Sequence, residues 1–373
     1  MSGTSADGVD AALVEIDAGK VRFREAATQT FEEPLQNRLL SLNDTDSVSL
    51  TDLVRLDLEI AHVFADTATE LVQVAGGADA VIAIGSHGQT IFHQPAEPFP
   101  GTLQIGNASV IAQRTGVDTV ADFRSADMAC GGQGAPLTPA FNHAVFKAAH
   151  PRVILNLGGI ANVTFLTADT LNGDALHDET LNGETRGFDT GPANTLLDAW
   201  TKKHLNQPYD RDGEWARGGA FDDTLLNNML SDPYFTRVPP KSTGPDYFNL
   251  AWLESKINAA GKAYEPKDVQ ATLIELTAVS AAQSILQGFP EGVEVLLCGG
   301  GSHNAYLLER MDARCHGCTV TTTEKECGVN VDHCESIAFA WLAYRYMAGL
   351  PGNLPAVTGA SRAVVLGALH KAT

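Results

Sequence analysis

Residues 153–166 read VILNLGGIANVTFL: an apolar run, a Gly-Gly turn with asparagines close by, and a second apolar run. Apolar stretches of this length bounded by a turn signal predict buried strands, so the segment is expected to form a strand–turn–strand unit. The chain opens on a similar layout, where the Gly/Ser/Thr-rich turn MSGTSADGVD leads into a strand, VDAALVEI, at 9–16. Two such units, each opening its own α/β half, predict a duplicated architecture with a cleft between the halves. A length of 373 residues exceeds what one core usually serves, which also predicts two domains.

Other elements follow from periodicity. Residues 50–75 have helical spacing, and AVIAIGSHG at 80–88 reads as a buried strand ending in a polar loop. GFDTGPANTLLDAW, 187–200, reads as a loop feeding a helix with Pro192 in its first turn. VEVLLCGGGSHNAYLLERM, 293–311, is a buried strand, three glycines and an amphipathic helix, so that a glycine loop meets a helix start, a favourable place for anions or polar ligands. ASRAVVLGALHKA near the end reads as a helix returning to the first domain. The polar stretch 170–185 contains TLNG twice and is expected to be an enlarged surface loop without a binding role.

A formal net charge of -20 repels phosphate backbones and anionic headgroups, so neither nucleic acid nor a membrane surface is an expected partner. An anionic nucleotide would have to be held by local backbone amides and a divalent cation. The first residues show neither a basic nor an apolar leader region, and the cytoplasm is the expected location. Six cysteines, unevenly spread, read as free thiols. Cys315 and Cys318 have the spacing of a zinc knuckle, but Cys327 and Cys334 are too far apart for a second, and unpaired thiols are the simpler expectation.

Three groups of residues carry candidate chemistry. GTSADGVD presents backbone N–H groups and hydroxyls to phosphates while Asp7 or Asp10 holds Mg²⁺ through water; the bland alternative is a simple turn. GSHGQT at 85–90 and TLQIGN at 102–107 offer His87, Gln89, Thr90 and Asn107 as hydrogen-bond partners for a sugar, although a lone histidine is more often structural. Arg124, in DFRSADMACGGQGAPLTPAF, can grip a carboxylate substituent bidentately, or simply pair with Asp122 or Asp127.

These segments, together with NLGGIANVT, GFDTGPANTLLDAW, PKSTGPDYFN, ATLIELTA, CGGGSHN and VTGASRAVVLG, resemble in order the motifs of the anhydro-N-acetylmuramic acid kinases over nearly the whole chain. The resemblance implies a two-domain actin-like ATPase fold, a duplicated ribonuclease H-like architecture with an interdomain cleft. Domains are expected at 1–125 and 126–356, with a C-terminal helix at about 357–373 packing on the first. It implies that ATP, Mg²⁺ and water convert 1,6-anhydro-N-acetylmuramic acid to the 6-phosphate of N-acetylmuramic acid, in peptidoglycan recycling. By matching positions, Gly3, Thr4, Ser5, Asp7, Gly8 and Asp10 resemble the first phosphate loop, with Asp7 and Asp10 toward the metal. Asn156, Gly158, Gly159 and Asn162 resemble the second loop, and Gly299, Gly300, Gly301 and Asn304 the adenosine side. His87, Gln89, Thr90, Arg124 and Glu335 are then the sugar-side residues.

Asp189 matches the family's general base; read from the residues alone, an aspartate before Thr-Gly-Pro is a common helix cap. Lys241 of PKSTG is weighed between a phosphate contact and an ordinary surface lysine. A homodimer is expected by analogy alone. The sequence departs from the family pattern in three places. The family carries an apolar strand ahead of MSGTS, so the first strand of the phosphate hairpin is expected to be missing. PAFNH puts Asn142 where the family has histidine, with His143 one place later, and neither is given a role. GVNVDHCESIAFAWLA lacks the family's proline and has Ser336 for a small apolar residue, with Glu335 in register. Two other readings stay open: a binding module without catalysis, and a kinase for a different amino sugar.

Overall fold

A computed structural model describes residues 1–3, 6–17, 19–42, 47–95, 98–168, 185–239 and 241–373. Thr4, Ser5 and all but the last residue of the 170–185 stretch lie outside the described residues. The described chain forms two compact α/β units, Met1–Val145 with His333–Thr373 in one, 146–168 with 185–332 in the other.

In the first unit, β1 (Gly8–Asp17) pairs antiparallel with β2 (Lys20–Thr30), in a register running from Gly8 opposite Thr30 to Asp17 opposite Lys20. Helix Leu50–Val74 starts where the Ser49 hydroxyl accepts the Asp52 N–H at 3.1 Å. Its buried residues Leu56, Ile60 and Phe64 are spaced so that they form one stripe, and that stripe packs with Val9, Phe31 and Ile105. Each such side chain contributes about 1.5–3 kcal/mol on burial. Between residues 80 and 88 the expected long strand shrinks to β3 (Ile84–Gly85), and Ile82 is 82% exposed. The hairpin β4 (Gln89–Gln94) and β5 (Gly101–Ile105) follows, and β6 (Thr119–Ala121) runs parallel to β3. Helix Cys334–Met347 packs on β1, β3 and β6, so the chain divides before that helix rather than at 356. It comes so close that a side chain at Gly85 would lie 2.1 Å from the Phe339 carbonyl oxygen.

The second unit is built on a five-stranded sheet. β7 (Arg152–Leu157) and β8 (Ile160–Leu166) form the hairpin expected from VILNLGGIANVTFL, and β9 (Arg186–Pro192) adds antiparallel to β8. On the other side of β7 lie β10 (Glu294–Cys298) and β11 (Thr319–Thr322), both parallel. Helix Pro266–Gly288 has the length and apolarity of a bilayer-crossing segment, but most of it is core. Its Glu275 is buried and accepts from Arg310, at 2.6 and 3.2 Å, and from Arg314. That pairing locks the helix to Ala305–Arg314, and leaving the carboxylate unpartnered would cost about 3–5 kcal/mol.

Two expectations are corrected. Residues 187–192 are strand, not loop, and Pro192 ends β9 instead of opening a helix, which begins at Asn194. The C-terminal segment joins the first unit as a strand, β12 (Ala368–His370), antiparallel to β6, not as a helix. Gly367, at φ +114°, holds a backbone angle that no right-handed helix contains.

Candidate active site

In the second unit the ladder itself collects candidate residues. Asn156 of β7 lies opposite Asn162 of β8, and Asn162 opposite Asp189 of β9. Residues directly opposite in antiparallel strands share a face. Leu155, Leu157, Ala161 and Val163 beside them are buried, whereas Asn156, Asn162 and Asp189 keep some exposure. Asp189 is therefore a strand residue. The capping position ahead of helix Asn194–Leu205 belongs to Ala193, so the helix-cap alternative for Asp189 does not hold.

Asp189 is clasped by Lys241 and Thr243. Its N–H donates to the Lys241 carbonyl at 3.2 Å, and its Oδ2 accepts the Thr243 N–H at 2.9 Å. Tyr234 donates its hydroxyl to the Asp189 carbonyl at 2.7 Å. Burial pushes the Asp189 carboxyl up to about 6, against the lowering effect of the Thr243 N–H and of Lys241.

The two glycine loops of this unit meet. Gly299 sits at φ +80°, and a Cβ there would lie 2.3 Å from the Asn156 Oδ1; one on Gly301 would lie 2.7 Å from the Leu157 Cβ. Asn194 Nδ2 donates to the Leu157 carbonyl at 3.0 Å and bridges the loops from the start of its helix. The carbonyls of Gly158 and Gly159 accept the N–H groups of Asn194 and Thr195, at 3.1 and 3.0 Å. Asn304 accepts the Leu307 N–H at 2.9 Å, so its side-chain oxygen caps helix Ala305–Arg314. One turn beyond Asn194, Asp198 is pushed up to about 7 by burial and by the neighbouring Asp210, which accepts the Trp215 and Ala216 N–H groups at 2.9 and 3.0 Å. Asn194, Asp198 and Asp210 were not singled out from sequence; the four-residue spacing of Asn194 and Asp198 behind a strand motif was the available signal.

In the first unit, Gln89 ties β4 to the opening turn. Its Oε1 accepts the Ser2 hydroxyl at 2.6 Å and its Nε2 donates to the Gly3 carbonyl at 3.1 Å. Arg124 donates to His87 Nε2 at 2.8 and 3.3 Å and to the Gly134 carbonyl at 2.7 Å. Burial and the Arg124 charge hold His87 well below its ordinary value, so the imidazole is neutral and Nε2 is an acceptor. Arg124 is itself lowered to about 10 by burial, with Glu335 opposing. The acids that could have paired with it have other partners: Asp122 accepts from Ser125, and Asp127 from Asn353, Thr358 and the Gly134 N–H.

Thr90 accepts from Gln104 at 3.2 Å, and Asp10 accepts from Thr28 at 2.6 Å, whereas Asp7 is exposed just ahead of β1. Gly8 opens β1 with its backbone against Gln29 and Thr30. Asn107 accepts the Val110 N–H at 3.3 Å, capping its helix, and donates to Asp57 at 3.1 Å. A concavity of about 330 Å³ in this unit is lined by His87, Gln104 and Asp122 among others.

A family model described as anhydro-N-acetylmuramic acid kinase matches residues 1–372. The chain belongs to that family. It is accordingly an ATP-dependent phosphotransferase acting on the anhydro amino sugar, and its α/β class agrees with the sequence reading. Looser likenesses include the ADPNP-bound activator of 2-hydroxyisocaproyl-CoA dehydratase from Clostridium difficile (12% identity, 88% of this chain and 91% of that one, TM-score 0.35). Others are hexokinase from Schistosoma mansoni with glucose (12%, 91% and 87%, 0.32) and xylulose kinase from Rhodospirillum rubrum (13%, 70% and 49%, 0.34). No residue's role rests on them.

Against the anhydro-N-acetylmuramic acid kinase pattern, Asn142 and His143 are both buried on helix Thr138–Phe146. Glu335 stands in the first turn of helix Cys334–Met347, close enough to Arg124 to raise its affinity for the proton. Among the described residues no three His, Cys, Asp or Glu side chains are grouped as metal ligands. Burial, with Cys318 beside it, pushes the Cys315 thiol up to about 12.

Proposed function

We propose that Asp189 is the general base of the reaction. It removes a proton from the water that attacks C1 of 1,6-anhydro-N-acetylmuramic acid. As the new C–O bond forms, the bridging oxygen leaves C1 and takes the γ-phosphoryl group, giving the 6-phosphate and ADP. The electrophilic phosphoryl group replaces the acid that a glycosidase would use to protonate this oxygen, so a single carboxylate suffices. The observation that carries the reading is the alignment of Asp189 with Asn156 and Asn162 on one face of the ladder, with its carboxyl held near 6. A base with that value is ionised at neutral pH yet still attracts a proton strongly.

In the same reading, the glycine loops around Gly158, Gly159 and 299–301 hold ATP, with Asn304 on the adenosine side. Gly3, Thr4, Ser5 and Gly8 are assigned to phosphate by their match to the family's first loop. Mg²⁺, which neutralises phosphate charge, suits Asp7 and Asp10, because it takes one or two carboxylates and keeps waters. His87, Gln89, Thr90, Arg124 and Glu335 hold the sugar, Arg124 facing its lactyl carboxylate. The two units are read as the two actin-like ATPase domains. Peptidoglycan recycling in the cytoplasm and a homodimeric state complete the proposal. The high negative charge favours small-molecule partners over nucleic acid or membrane. Turnover in ¹⁸O-labelled water tests the chemistry: label at C1 of the phosphorylated product supports it, and label-free product overturns the ring-opening step.

A further inference from the structure

Residues 241–243 do more than pass near Asp189. The Lys241 ammonium rests 4.8 Å from the centre of the Tyr234 ring and 5.8 Å from that of Phe188, the residue before Asp189, and donates to the Tyr234 carbonyl at 3.4 Å. Tyr234 is in turn anchored. Its N–H donates to Asp232 at 3.0 Å, and Asp232 also accepts from Tyr247 at 2.7 Å, from Trp252 at 2.9 Å and from Lys256 at 3.1 Å. One rigid aromatic cluster therefore fixes the lysine's ammonium, and the lysine's own main chain is bonded to Asp189.

We propose that Lys241 is a positioning residue for Asp189: the main chain at 241 and 243 fixes the carboxylate's direction, and the ammonium, seated over the Phe188 and Tyr234 rings, places a positive charge near the base. The inference rests on Asp189 being the base. Among the other charged groups around β9, Arg186 opens the strand and is exposed. Arg237 follows the Tyr234 helix and lies over the Tyr234 ring, Asp232 is paired with Lys256, and Glu275 of helix Pro266–Gly288 is paired with Arg310 and Arg314. Strand β8 carries no titratable side chain. Asp198, near 7, titrates in the same window.

The test is the pH profile of kcat/KM for Lys241→Met, Lys241→Arg and the parent, each also in an Asp198→Asn background, with thermal melts to confirm folding. Removing the charge is expected to move the acid limb up by about one pH unit. That shift is a roughly fivefold loss at pH 6 and almost none at pH 8. Lys241→Arg is expected to restore the limb. A limb that stays put in Lys241→Met, with only the KM for ATP raised, overturns the proposal and makes Lys241 a phosphate contact. Full activity in Asp189→Asn would instead remove the base assignment beneath it.

Discussion

The second unit gathers its candidate residues by backbone register, the first by side-chain hydrogen bonds. Asn156, Asn162 and Asp189 stand in a row because three adjacent strands pair there, and the loops beside them touch at Gly299 and Gly301. His87, Gln89 and Arg124 are held by bonds to one another's neighbourhoods: Ser2, Gly3 and Gly134. A ladder places groups rigidly and has little room to adjust. Side-chain networks can be retuned one bond at a time.

The sharpest way to break the comparison is Asp189→Asn, which keeps the ladder and removes the base; kcat is expected to fall about 10²- to 10⁴-fold with ATP binding retained, measured by steady-state kinetics and calorimetry. Next is Gly299→Ala. Its φ of +80° and the 2.3 Å approach to Asn156 mean strain of about 1–3 kcal/mol, expected as up to about 100-fold weaker ATP binding by calorimetry. A neutral result would show that the loops have more slack than a ladder permits.

A smaller effect separates placement from stability. The Asp189 carboxyl is raised in the folded chain, so its ionisation opposes folding: its contribution is fully present below about 4 and lost as pH rises through about 6. Asp189→Asn is therefore expected to be more stable than the parent at pH 7.5, by about 1–3 kcal/mol, with the gain gone near pH 4. Asp232 runs the other way. Four hydrogen-bond donors outweigh its burial and hold it down to about 2, so its stabilisation is lost as pH falls from about 4 toward 2. Chemical denaturation across that range reads both. The smallest effect is expected for Gln89→Ala in the first unit, where three hydrogen bonds go at roughly 1 kcal/mol each or less, seen as a modest rise in KM for the sugar.

Much of the second unit was legible because apolar runs and glycine pairs act locally: VILNLGGIANVTFL and VEVLLCGGG fold as read. The misreadings share a cause. GFDTGP lacks alternation and holds four residues of poor strand propensity, yet it pairs because β8 offers an edge; no local signal carries that. The C-terminal ALH triplet contains good helix formers but is captured by β6. Side-chain environment was less legible still. Asp198 and Asp210 come together across unrelated segments, and Lys241 looks like any surface lysine until Phe188 and Tyr234 are brought beneath it.

A carboxyl that gains its proton at about 6 gives the crystallographer an experimental handle. In mildly acidic mother liquor the unaltered polypeptide would carry a disabled acceptor while its loops and ring contacts stay as they are. Nucleotide and uncleaved bicycle could then be soaked in together, and a jump to alkaline buffer would start the turnover inside the lattice.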